Sequence, residues 1–508
     1  MSDEHLSWLA YQPGRYDELL RAKVERVKST FATALGNGTV EPEIFASPPS
    51  HYRQRVRFAV GRFEADGSPS AAGSTSGRLQ YALYDKGVCI PRPDTFPVAA
   101  ESVCRLMPRL LAALEADAIL SQSIDCCHFL SSQAGDMLVT LVYGSPLAAG
   151  WRPAAVALCE QLCIPALMGR SRGHVETIAR NWVTEVYTLA DGRRLSYRQV
   201  EGSFSNPSSA MAVHTLNFLC SCAMAIAADL KHSRGEPPAL LELYCGNGNH
   251  TVALAPLFRT VLAVEIDAKL AAAAEGNLAS NGVTNAHVLC ATSGRFCQAL
   301  LKKVLEAKAA VGSTGGGDAV GGTAANGGGG RSSKGSGGRG SFDAARSAWL
   351  QEAGSRCDVV LVDPPRAGLD ESALTTSPTL SPLASASAGS VAEPLEEGSG
   401  PTHRLRAAVA GLQHAGRGPR ARLFDTCPGG PNRAPSNPLP LARSGTVRLV
   451  RSFDHILYVS CNPASLAASL PQLDSHEVLR FAVLDHFPYT RHLEVALYMR
   501  RKEGAPAV

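Results

Sequence analysis

Apolar segments of two lengths alternate along the second half of the chain. Short apolar runs bounded by turn residues predict buried strands, and the longer runs between them predict helices. The predicted order is helix 211–230, strand 239–244, helix 250–257, strand 260–266, helix 268–280, and strands 286–289, 358–362 and 455–460. Strands that alternate with helices in this way predict a doubly wound, Rossmann-like α/β fold around a parallel sheet.

The first half of the chain follows a different pattern. Residues 52–60 alternate between polar and apolar, which places Arg53, Arg55 and Arg57 on one face of a strand. Further predicted elements are a strand over 136–143 and helices over 99–114 and 151–162. We therefore predict a mixed α+β domain over residues 1–200, followed by the Rossmann-like domain over residues 201–508.

Two segments interrupt the second domain with a different composition. Fourteen of the 47 glycines lie between Gly312 and Gly340, and residues 375–444 are rich in Ser, Pro, Ala and Gly. Such segments bury too little apolar surface to offset the entropy lost on ordering. We predict disordered insertions over about 311–341 and 375–444, which leave a folded core of roughly 400 residues, enough for two domains.

Composition narrows the class of protein without identifying it. The 508 residues are 45% apolar and carry a formal net charge of only +4, so overall charge alone does not indicate a nucleic-acid partner. The apolar runs are too short to predict a membrane span, and the acidic N-terminus is unlike a secretory signal. Fourteen cysteines show no CxxC spacing, which argues against a metal site or an iron–sulfur cluster. We expect an intracellular, soluble protein without an obligate protein partner. The cytoplasm is the favoured compartment, and an organelle or the nucleus stays an open alternative.

The first chemical motif is LLELYCGNGN, residues 240–249, a strand that runs into a glycine turn and then a helix. Gly246 and Gly248 permit a tight turn and a close approach of a ligand to the backbone. Glu265 ends the next strand, where a carboxylate can accept hydrogen bonds from a ribose. Thr251 stands where a dinucleotide fingerprint would have its third glycine, so the motif favours S-adenosylmethionine over a dinucleotide.

Three further motifs end or begin strands of the same predicted sheet. VVLVDPPR places Asp363 at the end of a strand, before two prolines that stiffen the turn. HILYVSCNP places Cys461 at the end of another, where the Asn-Pro turn leaves the thiol facing the ligand crevice. DHFPYTRHLE, residues 485–494, places Glu494 at the entry of an apolar strand.

These motifs together resemble the TrmA-type RNA uracil-5-methyltransferases. ELYCGNGN, VDPPRAGL, ILYVSCNP and DHFPYTRHLE occur in the order and local spacing of that family, and SPPSHYRQRVRF and DTFPVAAE extend the likeness into the first half. The chain is most similar to the tRNA branch, since it starts without the additional RNA-binding barrel and the cysteine cluster of the ribosomal RNA relatives. The resemblance implies a class I methyltransferase domain preceded by an RNA-binding domain, and an enzyme that makes 5-methyluridine at position 54 of tRNA.

The resemblance also implies a role for individual residues. Cys461 matches the nucleophile that adds to C6 of the uracil, and Glu494 matches the base that removes the C5 proton. The positions that match S-adenosylmethionine contacts are Asn206, Tyr244, Gly246, Asn249, Glu265 and Asp363. Asn206 is one methylene shorter than the Gln usual in bacterial members of the family. Arg366 is a candidate for contacting a phosphate or the target base.

The target base lies inside a folded tRNA loop and must be flipped out to react, so the protein needs a surface that binds RNA. The Arg53, Arg55 and Arg57 face is our candidate, with a plain solvated strand edge as the alternative. Other activities that the sequence leaves open are methylation of a uridine in another RNA, and a tRNA-folding or RNA-binding protein with weak catalysis. An amino-methyltransferase is disfavoured because it needs no thiol such as that of Cys461.

Overall fold

The computed structural model describes residues 11–35, 40–70, 77–85, 88–92, 96–293, 296–297, 357–369 and 445–505. The two predicted insertions, 311–341 and 375–444, lie outside these residues. Numbered within the described part of the chain, the helices are α1 (Tyr16–Leu35), α2 (Glu101–Ala116), α3 (Ala118–Ser121), α4 (Trp151–Leu162), α5 (Ser209–Arg234), α6 (Asn249–Leu254), α7 (Ala268–Ser280), α8 (Gly445–Arg451) and α9 (Pro463–Ser469).

The strands form three sheets, described below. They are β1 (Glu43–Phe45), β2 (Arg55–Phe63), β3 (Arg78–Asp85), β4 (Val88–Arg92), β5 (Ile124–Ser131), β6 (Met137–Tyr143), β7 (Ala166–Ser171), β8 (His174–Ile178), β9 (Trp182–Thr188), β10 (Arg194–Val200), β11 (Ala239–Leu243), β12 (Thr260–Glu265), β13 (Ala286–Cys290), β14 (Cys357–Val362), β15 (His455–Ser460), β16 (His476–Leu484) and β17 (Glu494–Arg501).

The larger sheet has the strand order β1-β16-β17-β15-β14-β11-β12-β13. Its pairs are parallel except those of β17, which is antiparallel to both β15 and β16. β16 ends at Leu484 and β17 begins at Glu494, and a connection this short cannot make the crossover that parallel neighbours need. The predicted Rossmann-like fold is confirmed, with one antiparallel strand that the sequence analysis did not foresee.

Helix α5 packs its apolar side onto this sheet. Leu216, Leu219 and Ile226 are buried in the same core as Leu240 of β11 and Leu457 of β15. Among the described residues it is the one helix whose length and composition would allow it to cross a membrane. The burial of its apolar side chains in the core accounts for that composition.

The second sheet has the order β4-β3-β2-β5-β6-β7-β8 and is antiparallel except between β6 and β7. Phe58, Tyr81 and Phe129 pack edge to face or tilted on one side of it. Arg55 and Arg57 lie on the opposite side of β2, as the alternation predicts, whereas Arg53 precedes the strand and forms an isolated bridge with Ala99. Over Arg55–Phe58 the strand pairs with β5, and its pairing with β3 begins at Ala59. β9 and β10 form a separate antiparallel hairpin.

The N-terminal segment is tied to the larger sheet. β1 pairs with β16, and Lys23 of α1 is 1% exposed beside Asp485, which follows β16. Lys23 Nζ donates to Asp485 Oδ1 at 2.6 Å and to the carbonyls of Phe487 and His492 at 2.8 and 3.1 Å. Tyr16 donates its hydroxyl proton to the other Asp485 oxygen at 3.0 Å. Residues near the start of the chain thus hold the segment that leads to Glu494, while a domain division at residue 200 stays a prediction.

The Lys23–Asp485 ion pair gives the first testable prediction. Replacing Lys23 with Met leaves the Asp485 carboxylate buried without its cation, and should lower the free energy of unfolding by about 3–5 kcal/mol. The double variant Lys23→Met/Asp485→Asn should recover part of that loss. Urea denaturation curves measure both changes. The matched control is Arg15→Ala, which removes an exposed ion pair to Glu18 and should change stability little. Equal effects of Lys23→Met and Arg15→Ala would contradict the assigned role of the buried pair.

Candidate active site

The topology of the larger sheet brings the predicted site residues to one edge. β11, β12 and β14 are parallel and in register, so that Leu243 pairs with both Val264 and Val362. β15 is parallel to β14, and its last residue, Ser460, pairs with Val495 near the start of the antiparallel β17. The residues at this edge are Tyr244, Glu265, Asp363, Cys461 and Glu494. Ligands of open α/β sheets bind at this edge.

The glycine turn after β11 is held by the end of the next strand. Gly246 and Gly248 have φ angles of 58° and 78°, which favour glycine. A Cβ at Gly248 would also lie 3.1 Å from the Cβ of Ala274 in α7. Glu265 accepts hydrogen bonds from the backbone N–H of Gly246 at 2.9 Å and of Asp267 at 2.8 Å. Glu265 therefore shapes the turn in addition to its predicted role toward a ribose.

The edge offers polar groups that fit S-adenosylmethionine. Asn249 begins α6, and its Nδ2 is buried with no hydrogen-bond partner among the residues the structure describes. Asn206 is half-buried in the loop before α5, next to Pro207, whose carbonyl accepts the Gln54 N–H at 2.8 Å. An unpartnered amide, a carboxylate and a glycine backbone open to close approach suit an adenosyl ligand.

Asp363 follows β14 within a cluster of carboxylates. Burial raises its pKa to about 7, with the nearby Glu494 and Glu242 adding to the rise and His250 opposing it. The turn that follows is fixed by Asn462, whose Nδ2 donates to the Arg366 carbonyl at 2.9 Å. The Asp363 turn and the Cys461 turn are thus joined directly.

Cys461 lies half-buried in an environment that opposes its ionisation. Burial raises the pKa of the thiol to about 11, and the carboxyl groups of Glu494 and Asp363 raise it further. Arg366 opposes them, through its charge and through a hydrogen bond to the sulfur. A thiolate is the reactive form of cysteine, so Arg366 is the residue of this site that favours the nucleophile.

Glu494 is the most enclosed of the predicted catalytic groups. Burial raises its pKa to about 7, while His250 and Arg366 lower it. One of its oxygens lies 3.2 Å from Nε2 of His486, a ring that is 1% exposed and also contacts the Thr215 hydroxyl at 3.2 Å. A carboxyl group whose pKa lies near neutral can accept and release a proton at physiological pH.

Sequence reasoning missed three residues that surround these carboxyl groups. Glu242 lies inside the buried strand β11, where Thr251 donates to it at 2.6 Å and His250 Nδ1 lies 3.7 Å away. Burial would lower the pKa of His250, but Glu242, Asp363 and Glu494 together raise it. A carboxylate within an apolar strand is the signal that could have revealed Glu242, because a buried charge needs a partner. His486 stands inside the quoted motif, but its spacing gives no sign of its contact with Glu494.

The arginine strand meets the loops of this site. Tyr52, just before β2, donates to the carbonyl of Pro488 at 3.3 Å, and Gln54 is hydrogen-bonded to Pro207. Arg53 Nε donates to the Arg55 carbonyl at 3.1 Å. The strand therefore starts between the Asn206 loop and the segment that leads to Glu494. Its predicted contact with RNA stays a prediction.

The arrangement joins a thiol, an arginine and a carboxyl group of near-neutral pKa at the mouth of a nucleoside-type site. Such a set can add sulfur to an electrophilic ring carbon and later remove a proton from the adjacent carbon.

Comparison with known proteins identifies the family. The family model described as tRNA (Uracil-5-)-methyltransferase matches residues 15–308 and 440–502. A tRNA/tmRNA (uracil-C(5))-methyltransferase of Dechloromonas aromatica is 31% identical over 97% of this chain and 99% of its own length. The enzyme of the same name from Ectopseudomonas mendocina is 32% identical over 97% of this chain and 99% of its own length.

A solved structure shares the fold. The Pyrococcus abyssi tRNA (uracil-54, C5)-methyltransferase, in complex with S-adenosyl-L-homocysteine, aligns with a TM-score of 0.52 at 17% identity, over 95% of this chain and 83% of its own. The sequence-based expectation of an S-adenosylmethionine-dependent RNA methyltransferase is confirmed by the family match and the relatives. The chain belongs to the tRNA (uracil-5-)-methyltransferase family.

Proposed function

We propose that the protein transfers a methyl group from S-adenosylmethionine to C5 of uridine 54 in the T loop of tRNA. The observation that carries this proposal is the placement of Cys461 and Glu494 at one sheet edge, within the electrostatic influence of each other. The printed names of the relatives support the base and the RNA class, and that of the Pyrococcus abyssi enzyme supports the position. A cytoplasmic location stays a prediction.

The uracil ring needs activation before it can take a methyl group. C5 is a weak nucleophile, and addition of the Cys461 thiolate to C6 makes it an enolate carbon. The bond formed is S–C6, made with an electron pair of sulfur. The bond broken is the C5–C6 π bond, whose pair becomes available at C5. Arg366 favours the thiolate and remains our candidate for contacting a phosphate or the target base.

S-adenosylmethionine supplies the electrophilic methyl group when it is bound. The residues proposed to hold it are Asn206, Tyr244, Gly246, Asn249, Glu265 and Asp363. Both carboxylate oxygens of Glu265 accept hydrogen bonds from backbone N–H groups. Its side chain is therefore already held in one orientation when a ribose binds. The Asn249 amide, which has no partner among the described residues, supplies a further polar contact.

Proton removal completes the reaction. After methylation C5 carries both the methyl group and a hydrogen, and Glu494 takes that proton while the S–C6 bond breaks and the 5–6 double bond re-forms. The thiolate leaves and is again stabilised by Arg366. Burial keeps the pKa of Glu494 near neutral, which suits the group for accepting this proton and then releasing it.

A second RNA substrate is a specific alternative. The bacterial relatives are named for both tRNA and tmRNA, so a uridine of another RNA that folds as a T loop is a candidate. Nucleoside and position mapping by mass spectrometry, after incubation with labelled S-adenosylmethionine, separates these cases. Label at uridine 54 of tRNA supports the proposal, and label only at another position or RNA would overturn it.

Removing the nucleophile should abolish the chemistry and spare cosubstrate binding. Cys461→Ala should reduce 5-methyluridine formation to less than roughly a thousandth of the wild-type rate, because C5 is no longer activated. Its affinity for S-adenosylmethionine, measured by calorimetry, should stay within about threefold, since the glycine turn lies between β11 and α6, on a different strand from Cys461. The control is Cys159→Ala on α4, which should methylate normally. Near-normal methylation by Cys461→Ala would rule out the covalent mechanism.

Removing the base should stop the reaction one step later. Glu494→Gln keeps the shape of the side chain but cannot take the C5 proton, so a covalent complex with methylated RNA should accumulate. A slower band on a denaturing gel, carrying labelled methyl and protein together, would show it. Glu477→Gln on the neighbouring β16 is the matched control and should leave no such band. Normal turnover by Glu494→Gln would assign the proton removal to another group.

The pH dependence follows from the charges around the site. Glu494 acts as a base only above its pKa of about 7, so kcat/KM should rise as the pH increases through 7. Arg366 lowers the pKa of both Glu494 and Cys461, so Arg366→Gln should move the rise to higher pH. Initial rates across the pH range test the shift. A lower rate with an unchanged pH profile would show that Arg366 does not tune these groups.

A further inference from the structure

A cluster of polar side chains lies on the arginine side of the second sheet. Arg57 of β2 pairs in register with His128 of β5, and His128 pairs with Thr140 of β6. Because paired residues point to the same side of a sheet, these three side chains share one face with Arg55. We call the set Arg55, Arg57, His128, Thr140, Arg170 and Glu201 the arginine pocket.

Glu201 and Arg170 close the pocket from the other strands. Glu201 follows β10 and places Oε1 3.4 Å from His128 Nδ1. Arg170 of β7 lies beside the same turn, since a Cβ on Gly202 would be 3.5 Å from its Nη2. His128, Thr140 and Glu201 are buried, and the three arginines are half-buried. The pocket thus has a buried polar floor and a cationic rim.

Several polar atoms of the pocket have no hydrogen-bond partner among the residues the structure describes. They are Arg55 Nε and Nη2, His128 Nε2 and Thr140 Oγ1. Buried polar groups are normally satisfied, and four unpaired atoms in one place indicate a missing partner. All four can donate a hydrogen bond: two guanidinium nitrogens, a ring nitrogen and a hydroxyl.

The charges of the pocket do not balance. Three guanidinium groups face the single carboxylate of Glu201. Burial would raise the pKa of Glu201, but His128, Arg55 and Arg57 lower it to about 2, so the carboxylate is charged. Burial lowers the pKa of His128, while Glu201 opposes that shift. The surplus positive charge is held at a half-buried position, which is costly unless an anion shares it.

We propose that the arginine pocket binds one phosphodiester group of the substrate RNA. The proposal rests on the proposed function, in which the substrate is an RNA, and names the group by which that RNA is held. Arginine forms paired charge-assisted hydrogen bonds to phosphate oxygens, which matches the rim. Glu201 contacts His128 and offsets part of the positive charge of Arg55 and Arg57.

The location of the pocket suits a strand that leads into the active site. Five positions separate Glu201 from Asn206, and Arg55 follows Gln54, which is hydrogen-bonded to Pro207. A phosphate held here would fix the RNA backbone near the crevice and leave the flipped base free to reach Cys461. Phosphate contacts of this kind set the register of a nucleic acid without reading its sequence.

The test uses the full-length protein and a synthetic T-arm hairpin RNA with one phosphate at a time replaced by a neutral methylphosphonate. For the wild-type protein, one linkage should weaken binding about tenfold when neutralised, the size of a lost charge-assisted contact. Arg57→Gln or Arg170→Gln should weaken binding of the unmodified RNA by a similar factor. In these variants, neutralising the same linkage should then cause little further loss of affinity. Each should also lower the slope of log affinity against log salt by about one.

Matched controls separate this pocket from general charge. Arg62 lies on the other side of β2, and Arg172 is exposed just after β7. For Arg62→Gln and Arg172→Gln, neutralising the linkage should still weaken RNA binding about tenfold. If no linkage is coupled to Arg57 or Arg170, the pocket holds structural water only and the proposal is wrong. Methylation of unmodified RNA at saturating concentration, measured on the same samples, reports the proposed function independently of that outcome.

Discussion

The burial of three carboxyl groups at one sheet edge governs the chemistry of this protein. Glu242, Asp363 and Glu494 come from three different strands or strand ends, and their negative charges would repel one another if all were ionised. Burial and mutual repulsion therefore raise the pKa of Asp363 and burial raises that of Glu494, each to about 7. His250 and Arg366 are the positive counterparts that keep the cluster from becoming wholly neutral. Burial, followed by the charges of Glu494 and Asp363, also raises the pKa of Cys461. The same environment therefore gives a carboxyl group that can act as a base at neutral pH and a thiol that ionises less readily.

The antiparallel strand β17 makes this clustering possible. A strand that ran parallel to β15 would begin at the opposite edge and place Glu494 far from Cys461. The short connection from β16 prevents that arrangement. The connection is in turn held by Lys23, whose three hydrogen bonds reach Asp485, Phe487 and His492. A helix near the start of the chain thus determines where the proposed base lies.

The sequence predicts those features of the fold that depend on local hydrophobic pattern, namely the strands of the larger sheet and the residues at their ends. The strands that end before Tyr244, Asp363 and Cys461 are predominantly apolar, because both faces of a central parallel strand are buried. Glu242 interrupts the first of them. Their order places the following residues at one edge, which is why the predicted site assembles. The partners of those residues could not be predicted in the same way. Lys23 and Asp485 are 462 positions apart, and the contact between His486 and Glu494 depends on how a turn folds back.

The arginine face of β2 shows that a sequence pattern can predict which side of a strand a residue occupies without predicting what packs against it. The alternation over 52–60 correctly separates Arg55 and Arg57 from Val56 and Phe58, but it cannot say what covers each face. A solvated edge needs no counter-charge, whereas Arg55 and Arg57 are half-buried and lie near His128 and Glu201. Because Arg55, Arg57 and Arg170 are half-buried, their positive charges are only partly solvated and are stabilised by a bound anion. In a family whose substrates are RNA, that anion is the phosphate group every nucleotide carries.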